Sequence, residues 1–316
     1  MKELSVVFAI IGTVIGSGFI SGKEIAVFFA RFGLWSLPAI VLIFFLFWLL
    51  FYFLLLKGDK ILKKLKKSKI FFVLSIFLSV IFTSAMFAGI GNLLNFDSEI
   101  INLSIFVIIF IFCTFIFKYG LSALNKINFV IVPIMLITFL CLLSNKTSFS
   151  QPTNNGADGF LAIFYAILYV VLNTSNGCVM IAGLSKGLSS KQKARASFIS
   201  SLVLVLLLLF INIVLLQHPS LISLDMPLLS LFSGWQKALL NIIVFIGCLT
   251  TLFSLIFSSS LTLRGLCNND FLIFFISIVV PTLISLVGFG VIVTYLYPLA
   301  SIVGIFLLLD ILLDKR

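Results

Sequence analysis

The sequence predicts an all-α polytopic membrane protein whose ten transmembrane helices form two inverted halves of five, with the first and sixth helices broken. Three observations predict it. The 316 residues are 62% hydrophobic and only 10% charged, against roughly 25% charged in an ordinary soluble domain. The apolar residues fall in runs separated by charged or Gly- and Asn-rich breaks. Clusters of poor helix formers stand inside two of those runs, and each of the two opens a group of five.

Composition bounds the number of spans. Roughly 196 apolar residues, at about 20 per membrane-crossing helix, supply at most about ten. In order they are 4–31, 34–56, 70–90, 100–117, 128–144, 159–185, 196–217, 238–262, 271–288 and 290–311. The chain reads as a single membrane domain, with repeat one over about 1–144 and repeat two over about 157–316. Only short loops remain outside, so no soluble catalytic or nucleic-acid-binding domain is expected. Met1 to Ser5 lead into continuous apolar sequence without an A-x-A site, so the first span is expected to be retained.

An even span count puts both termini on one side. With the N-terminus inside, the inner segments collect 17 Lys and Arg residues, seven of them between Lys57 and Lys69, and the outer segments hold Arg31, Lys146 and Lys237. That asymmetry predicts cytoplasmic N- and C-termini, and a plasma-membrane location. The net charge of +11 is thereby read as orientation, the competing reading of the lysine cluster being a lipid- or nucleic-acid-binding patch. No nucleic-acid partner is expected.

Cys113, Cys141, Cys178, Cys248 and Cys267 show no C-x-x-C spacing, and His218 is the single histidine. Such a set cannot assemble a zinc, iron or copper site, so no resident cofactor is expected. An enzyme acting on lipid-linked substrates would need clustered acids, histidines or a metal at the interface, and the sequence offers none. It also lacks a G-x-x-x-x-G-K-[ST] phosphate loop. A non-enzymatic role follows.

The first span carries Gly12, Gly16, Gly18 and Gly22 within eleven residues, at a cost to a continuous helix of roughly 1 kcal/mol each relative to alanine. Close helix packing is one explanation, because Gly12-x-x-x-Gly16 and Gly18-x-x-x-Gly22 match the small-residue association pattern. The other is backbone unwound at membrane depth, tolerated only where it lines a cavity or a ligand. The sixth span favours the second, since Asn173-Thr174-Ser175-Asn176-Gly177 are five consecutive residues poor in helix propensity. Five spans per half force the halves into opposite orientation, and the longest loop follows the second span of each half. This is the pattern of an inverted-repeat transporter.

Broken helices supply their own recognition chemistry. A half-helix beginning near Phe19 would aim free N–H groups at a carboxylate, and one ending near Leu172 would aim free carbonyls at an ammonium or a cation. The expected solute site is Thr13, Gly16, Ser17, Gly18, Phe19, Asn173, Thr174, Ser175, Asn176 and Gly177, with Tyr169 as an apolar wall. Third-span candidates are Ser79, Thr83 and Ser84. Lys23 and Glu24 are charges inside a span, where insertion costs roughly 2.5–3.5 kcal/mol. Glu24 is read as a proton carrier or gating residue, and Lys23 as closing the outer pathway or replacing a coupling ion. The plain alternative has both snorkelling to an outer interface marked by Arg31. The stretch Ser220 to Ser233, around Pro227, is read as a hairpin over the outer face or as an irregular loop. Pro38, Pro133, Pro281 and Pro298 are candidate bends.

Gly12-Thr13-Val14-Ile15-Gly16-Ser17-Gly18-Phe19, followed by Ser21-Gly22-Lys23-Glu24-Ile25, resembles the first-helix signature of the YkvI-like membrane proteins. These are a branch of the amino acid-polyamine-organocation superfamily, with the leucine-transporter (LeuT) fold. The resemblance implies a sodium site of first-helix carbonyls and eighth-helix hydroxyls, which maps onto Gly12, Ile15, Ser258 and Ser259. It also implies a secondary transporter of a small organic solute, an amino acid or related amine, coupled to Na+ or H+ by alternating access. The alternative is a transporter-like receptor that senses a small molecule without moving it, as spore-germinant receptor subunits of that superfamily are thought to do. Its protein partner is left open.

Overall fold

The computed structural model describes residues 2–65, 67–93, 121–144, 158–264 and 269–313. The fourth expected span (100–117), Cys113, Cys267 and the charges Lys66, Lys118, Lys146, Lys315 and Arg316 lie outside the described residues. The described residues form helices and turns, with no strand among them.

The first span is three helical pieces, α1 (Lys2–Val14), α2 (Ser17–Ile20) and α3 (Lys23–Phe28). Gly16 takes an extended conformation, φ −114° and ψ −164°, and Gly22 a left-handed one at φ 81°. The two glycines divide the helix where the sequence placed its cost. A 3-10 turn, Ala30–Trp35, reverses the chain into α4 (Ser36–Leu56). Pro38 falls in the first turn of α4, where a missing N–H removes no helical bond.

A short amphipathic helix, α5 (Gly58–Leu65), buries Gly58, Ile61 and Leu65. After it come α6 (Lys69–Leu93), α7 (Leu121–Ser144), α8 (Gly159–Leu184), α9 (Ser190–Gln217) and α10 (Gly234–Leu263). The start of α8 is fixed by the Asp158 side chain accepting from Phe160 N at 2.9 Å. That of α9 is a reciprocal Ser189–Gln192 capping box.

Two further spans carry wide π turns. The first is α11 (Asp270–Phe274), a π turn over Phe275–Val279 and α12 (Val280–Ser285). The second is α13 (Phe289–Val291), a π turn over Ile292–Leu296 and α14 (Tyr297–Leu312). Pro281 and Pro298 stand just past the two π turns. A proline ring clashes with the carbonyl four residues back, and the wider turn takes up that clash. The bends expected at these prolines take this form.

Six segments are long and apolar enough to cross a membrane, Ala30–Leu56, Lys69–Leu93, Gly159–Leu184, Ser190–Gln217, Gly234–Leu263 and Phe289–Leu312. Three shorter apolar helices, Glu3–Val14, Phe129–Ser144 and Phe271–Ser285, lie beside them. The main packing pairs are α6 with α10, α4 with α9, α4 with α8, α8 with α14, α1 with α7, α6 with α12, α7 with α10 and α1 with α9. Every residue from Ala9 to Ala30 is buried, as is every residue from Leu172 to Ala182. These segments turn no face to lipid and are wrapped by the other helices.

One expectation is overturned. The sixth span is not broken, because α8 runs as one helix from Gly159 to Leu184 and Asn173–Gly177 are helical throughout. The polar side chains fold back onto their own helix: Asn173 Nδ2 donates to Tyr169 O at 3.0 Å and Ser175 Oγ to Leu172 O at 3.1 Å. That satisfies the groups locally without freeing the backbone, and burial on all sides supplies the packing that propensity lacks. No half-helix therefore ends near Leu172, and no free carbonyls are presented there.

Candidate functional site

The break between α1 and α2 is built by the backbone. The Gly16 N–H turns to Val14 O at 3.1 Å, so the Gly12 carbonyl, its partner in a regular helix, leaves the ladder. Thr251 of α10 takes its place. Its hydroxyl lies 3.1 Å from Gly12 O and 2.9 Å from Ile15 O. One residue earlier, Thr250 donates to Gly247 O at 3.1 Å. Three oxygens from two elements, Gly12 O, Ile15 O and Thr251 Oγ1, thus meet at a buried helix break.

Space around the break is tight. A Cβ on Gly16 would come within 2.9 Å of the Met86 methyl of α6. A Cβ on Gly177 would meet the Thr13 methyl at 3.3 Å, so the first span touches the polar stretch of α8. Thr13 itself donates back to Ala9 O at 2.7 Å, Ser17 leans on the Met86 sulfur at 3.6 Å, and Phe19 is fully buried. Ser175 faces Gly304 of α14.

Glu24 is 2% exposed. Its carboxyl packs directly against Gly18, so that a side chain at residue 18 would collide with it. Oxygen Oε2 has no hydrogen-bond partner. The Tyr169 hydroxyl faces this carboxyl outside hydrogen-bond geometry, and Tyr297 of α14 lies within electrostatic reach of both. Both phenol oxygens are buried and unpartnered, as are Thr174 Oγ1 and Asn176 Oδ1. Buried polar atoms are nearly always paired, and a group of orphans needs an explanation, such as water or an ion.

Lys23 leaves α3 on a different side. Its ammonium donates to Ser223 O at 3.3 Å and to Leu224 O at 2.8 Å, and lies 3.9 Å from the Asp225 carboxylate. These acceptors belong to the loop between α9 and α10. The same loop donates from Leu228 N to Ser21 O at 2.9 Å and seats the Leu228 side chain against Gly22. Pro227, Leu228 and Leu229 are buried, in a 3-10 turn over Pro227–Leu231. The stretch around Pro227 therefore lies as a lid on the second interruption of the first span, and Lys23 is bonded to it. Lys23→Met removes hydrogen bonds to a charged group, worth about 1.5–3 kcal/mol in all, so the lid should open about tenfold or more often. On a cysteine-free background, the labelling rate of Ser21→Cys by a soluble maleimide measures it, and should rise by that factor in Lys23→Met.

The structure brings together Gly12, Ile15, Gly16, Gly18, Lys23 and Glu24 at the two interruptions, with Thr13 against Gly177. It does not bring Ser258 and Ser259 to the Gly12 and Ile15 carbonyls. They lie seven and eight residues beyond Thr251, roughly 10 Å along α10. There Ser259 is hydroxyl-to-hydroxyl with Ser79, and Ser258 O accepts from Thr262 at 2.9 Å. Of the other third-span candidates, Thr83 and Ser84 bond back to Ser79 O and Val80 O. The residues that sequence reasoning missed are Thr250, Thr251 and Tyr297. Adjacent threonines in the middle of an apolar span were the available signal for the first two. Among the described residues no cluster of three His, Cys, Asp or Glu side chains could hold a metal.

No family model matches the chain. It is 24% identical to the "Uncharacterized membrane protein YkvI" of Bacillus subtilis (strain 168), over 94% of this chain and 92% of that protein. Together with the long apolar helices, this makes the chain a multi-pass helical membrane protein similar to YkvI along nearly its whole length.

Proposed function

We propose that the chain is a secondary transporter of a small organic solute bearing an amine, an amino acid or a related amine, coupled to Na+ or H+ by alternating access. It would work in the plasma membrane with both termini cytoplasmic. The observation that carries the reading is the buried double break of the first span. One interruption frees carbonyls toward Thr251, and beside the other stands a carboxyl with an unpaired oxygen. Irregular backbone at membrane depth is tolerated where it lines a pathway or binds a ligand.

The packing pairs support a ten-span inverted arrangement in the LeuT manner. If the first span is exchanged with the sixth, the second with the seventh, and so on, α6 with α10 and α4 with α9 map onto themselves. The pair α1 with α7 becomes α8 with α14, and α4 with α8 becomes α9 with α1. All six are among the main packing pairs; of the other two, α7 with α10 maps onto the weaker pair α6 with α14, and α6 with α12 maps onto a pair with the fourth span, outside the described residues. The halves differ in that, among the described residues, the broken helix is in the first and the π turns are in the second.

That asymmetry favours the amine end of the solute. The half-helix expected to receive a carboxylate is four residues long, and the Glu24 carboxyl already packs against Gly18 within it. A second anion there would meet like charge, whereas an ammonium would find Glu24, Tyr169 and Tyr297 as acceptors. Gly12 O, Ile15 O and Thr251 Oγ1 are hard oxygen donors of the kind a small hard cation takes. They would seat the coupling Na+, in place of Ser258 and Ser259.

Thermal unfolding of the purified chain across amino acids, amines and amine-free carboxylates, with and without Na+, tests the reading. An amine at about a hundredfold its Kd should raise Tm by roughly 5 °C, and by more with Na+. Stabilisation by carboxylates alone would contradict it. Stabilisation by an amine without flux in proteoliposomes would support the receptor reading instead.

A further inference from the structure

We propose that the lysine-rich end of the bundle is a binding site for one anionic phospholipid, its headgroup held by α5 and its acyl chain lying along α14. Two adjoining features carry this. The first is a groove of about 570 Å³ lined by Lys60, Lys63, Lys64 and Lys67, with Asp310 and Leu313 from the end of α14. Lys64 is matched to Asp310, donating to its carbonyl at 2.5 Å and pairing with its carboxylate at 3.0 Å. The other three lysines give the groove its excess of positive charge.

The second feature is an apolar crevice of about 210 Å³ on the outside of the bundle. Leu46 and Leu50 of α4, Ile167 and Val171 of α8, and Leu309 and Leu312 of α14 form its walls. On α14 the crevice follows Ile305, Leu309 and Leu312, which share one helical face. Leu313, in the basic groove, is next to Leu312 in sequence and lies near Leu309 around the helix, so the groove and the crevice adjoin at the end of α14. On α14 the crevice runs about 10 Å, from Leu312 to Ile305, and its walls on α4 and α8 stand near the middle of those helices, so it leads from the basic end toward the midplane of a hydrocarbon core about 30 Å thick.

Orientation in the membrane accounts for lysines on this side but not for their convergence on one groove. A free phosphate would satisfy the lysines and leave the crevice without a role. A phospholipid with net negative charge fits both, at the level where basic residues at span ends meet headgroups. The site is also fixed to the core of the bundle. Gly58 of α5 approaches the Ala182 carbonyl and Ser185, at the end of α8, so closely that a Cβ would collide with them.

Native mass spectrometry of the full-length protein in detergent, titrated with dioleoyl phosphatidylglycerol, dioleoyl phosphatidylcholine or inorganic phosphate, tests the proposal. Phosphatidylglycerol should be retained one per chain in preference to phosphatidylcholine. In Lys60→Gln/Lys63→Gln/Lys67→Gln its affinity should fall about a hundredfold, at roughly fivefold per lysine. These side chains are exposed or at the groove mouth, so the triple variant should fold, which its Tm will verify. Leu309→Trp, which fills the crevice, should weaken phosphatidylglycerol retention and leave the lysines in place. Equal retention of the two lipids, unchanged binding in the triple variant, or phosphatidylglycerol binding indifferent to Leu309→Trp would overturn the proposal. So would stabilisation by phosphate equal to that by phosphatidylglycerol, which would make the groove a site for a free anion.

Discussion

Glu24→Gln is expected to lower solute binding and flux by about two to four orders of magnitude while the protein stays folded. The substitution keeps the shape of the side chain and removes its charge. Among the described residues no cationic side chain pairs with Glu24, since Lys23 is committed to the lid loop. In this account the solute's ammonium is the missing partner, and removing one member of a buried charge pair typically costs about 3–5 kcal/mol. The unliganded protein should respond in the opposite direction. A buried carboxylate without a partner is costly, so the amide should leave Tm unchanged or raise it. Flux in proteoliposomes and Tm, measured on the same preparation, separate the two effects. A variant that loses flux because it has lost stability would indicate a structural role for Glu24.

The second large effect is expected at Thr251. Valine there has nearly the same shape without the hydroxyl, so Thr251→Val leaves Gly12 O and Ile15 O buried with no donor from α10. Each unsatisfied group costs about 1–3 kcal/mol, so the variant should lose several degrees of Tm. Its transport should also lose its response to Na+. Thr251→Ser keeps the hydroxyl and should retain both. Sodium titrations of Tm on the three proteins distinguish a coupling site from simple capping, because a cap would be lost with valine without any prior dependence on sodium.

What could be read from the sequence is uneven, for physical reasons. The break in the first span was legible because the cost of glycine is local, and Gly16 and Gly22 sit where the backbone leaves the helix. The same reasoning failed at Asn173–Gly177. Those residues are poor helix formers in water, but within a bundle their side chains can bond to carbonyls three and four residues back, which only packing decides. The divergence of Lys23 and Glu24 was legible from helical spacing. Their partners were not, because Ser223, Leu224 and Asp225 are some 200 residues away in an irregular loop. The eighth-span hydroxyls were placed by resemblance, which picked the serine run at 258–260 over Thr251. A shift of seven residues preserves the face of a helix almost completely, so sequence spacing alone cannot tell the two apart.

The most direct test of the central claim is uptake of an amine solute, identified by thermal stabilisation, into proteoliposomes under an imposed inward Na+ gradient. Wild-type protein is expected to accumulate the solute above the external concentration and to lose that accumulation when the gradient is removed, and Thr251→Val and Glu24→Gln are expected to show none. If wild-type protein instead binds the solute and never moves it under any Na+ or H+ gradient, the chain is not a coupled transporter.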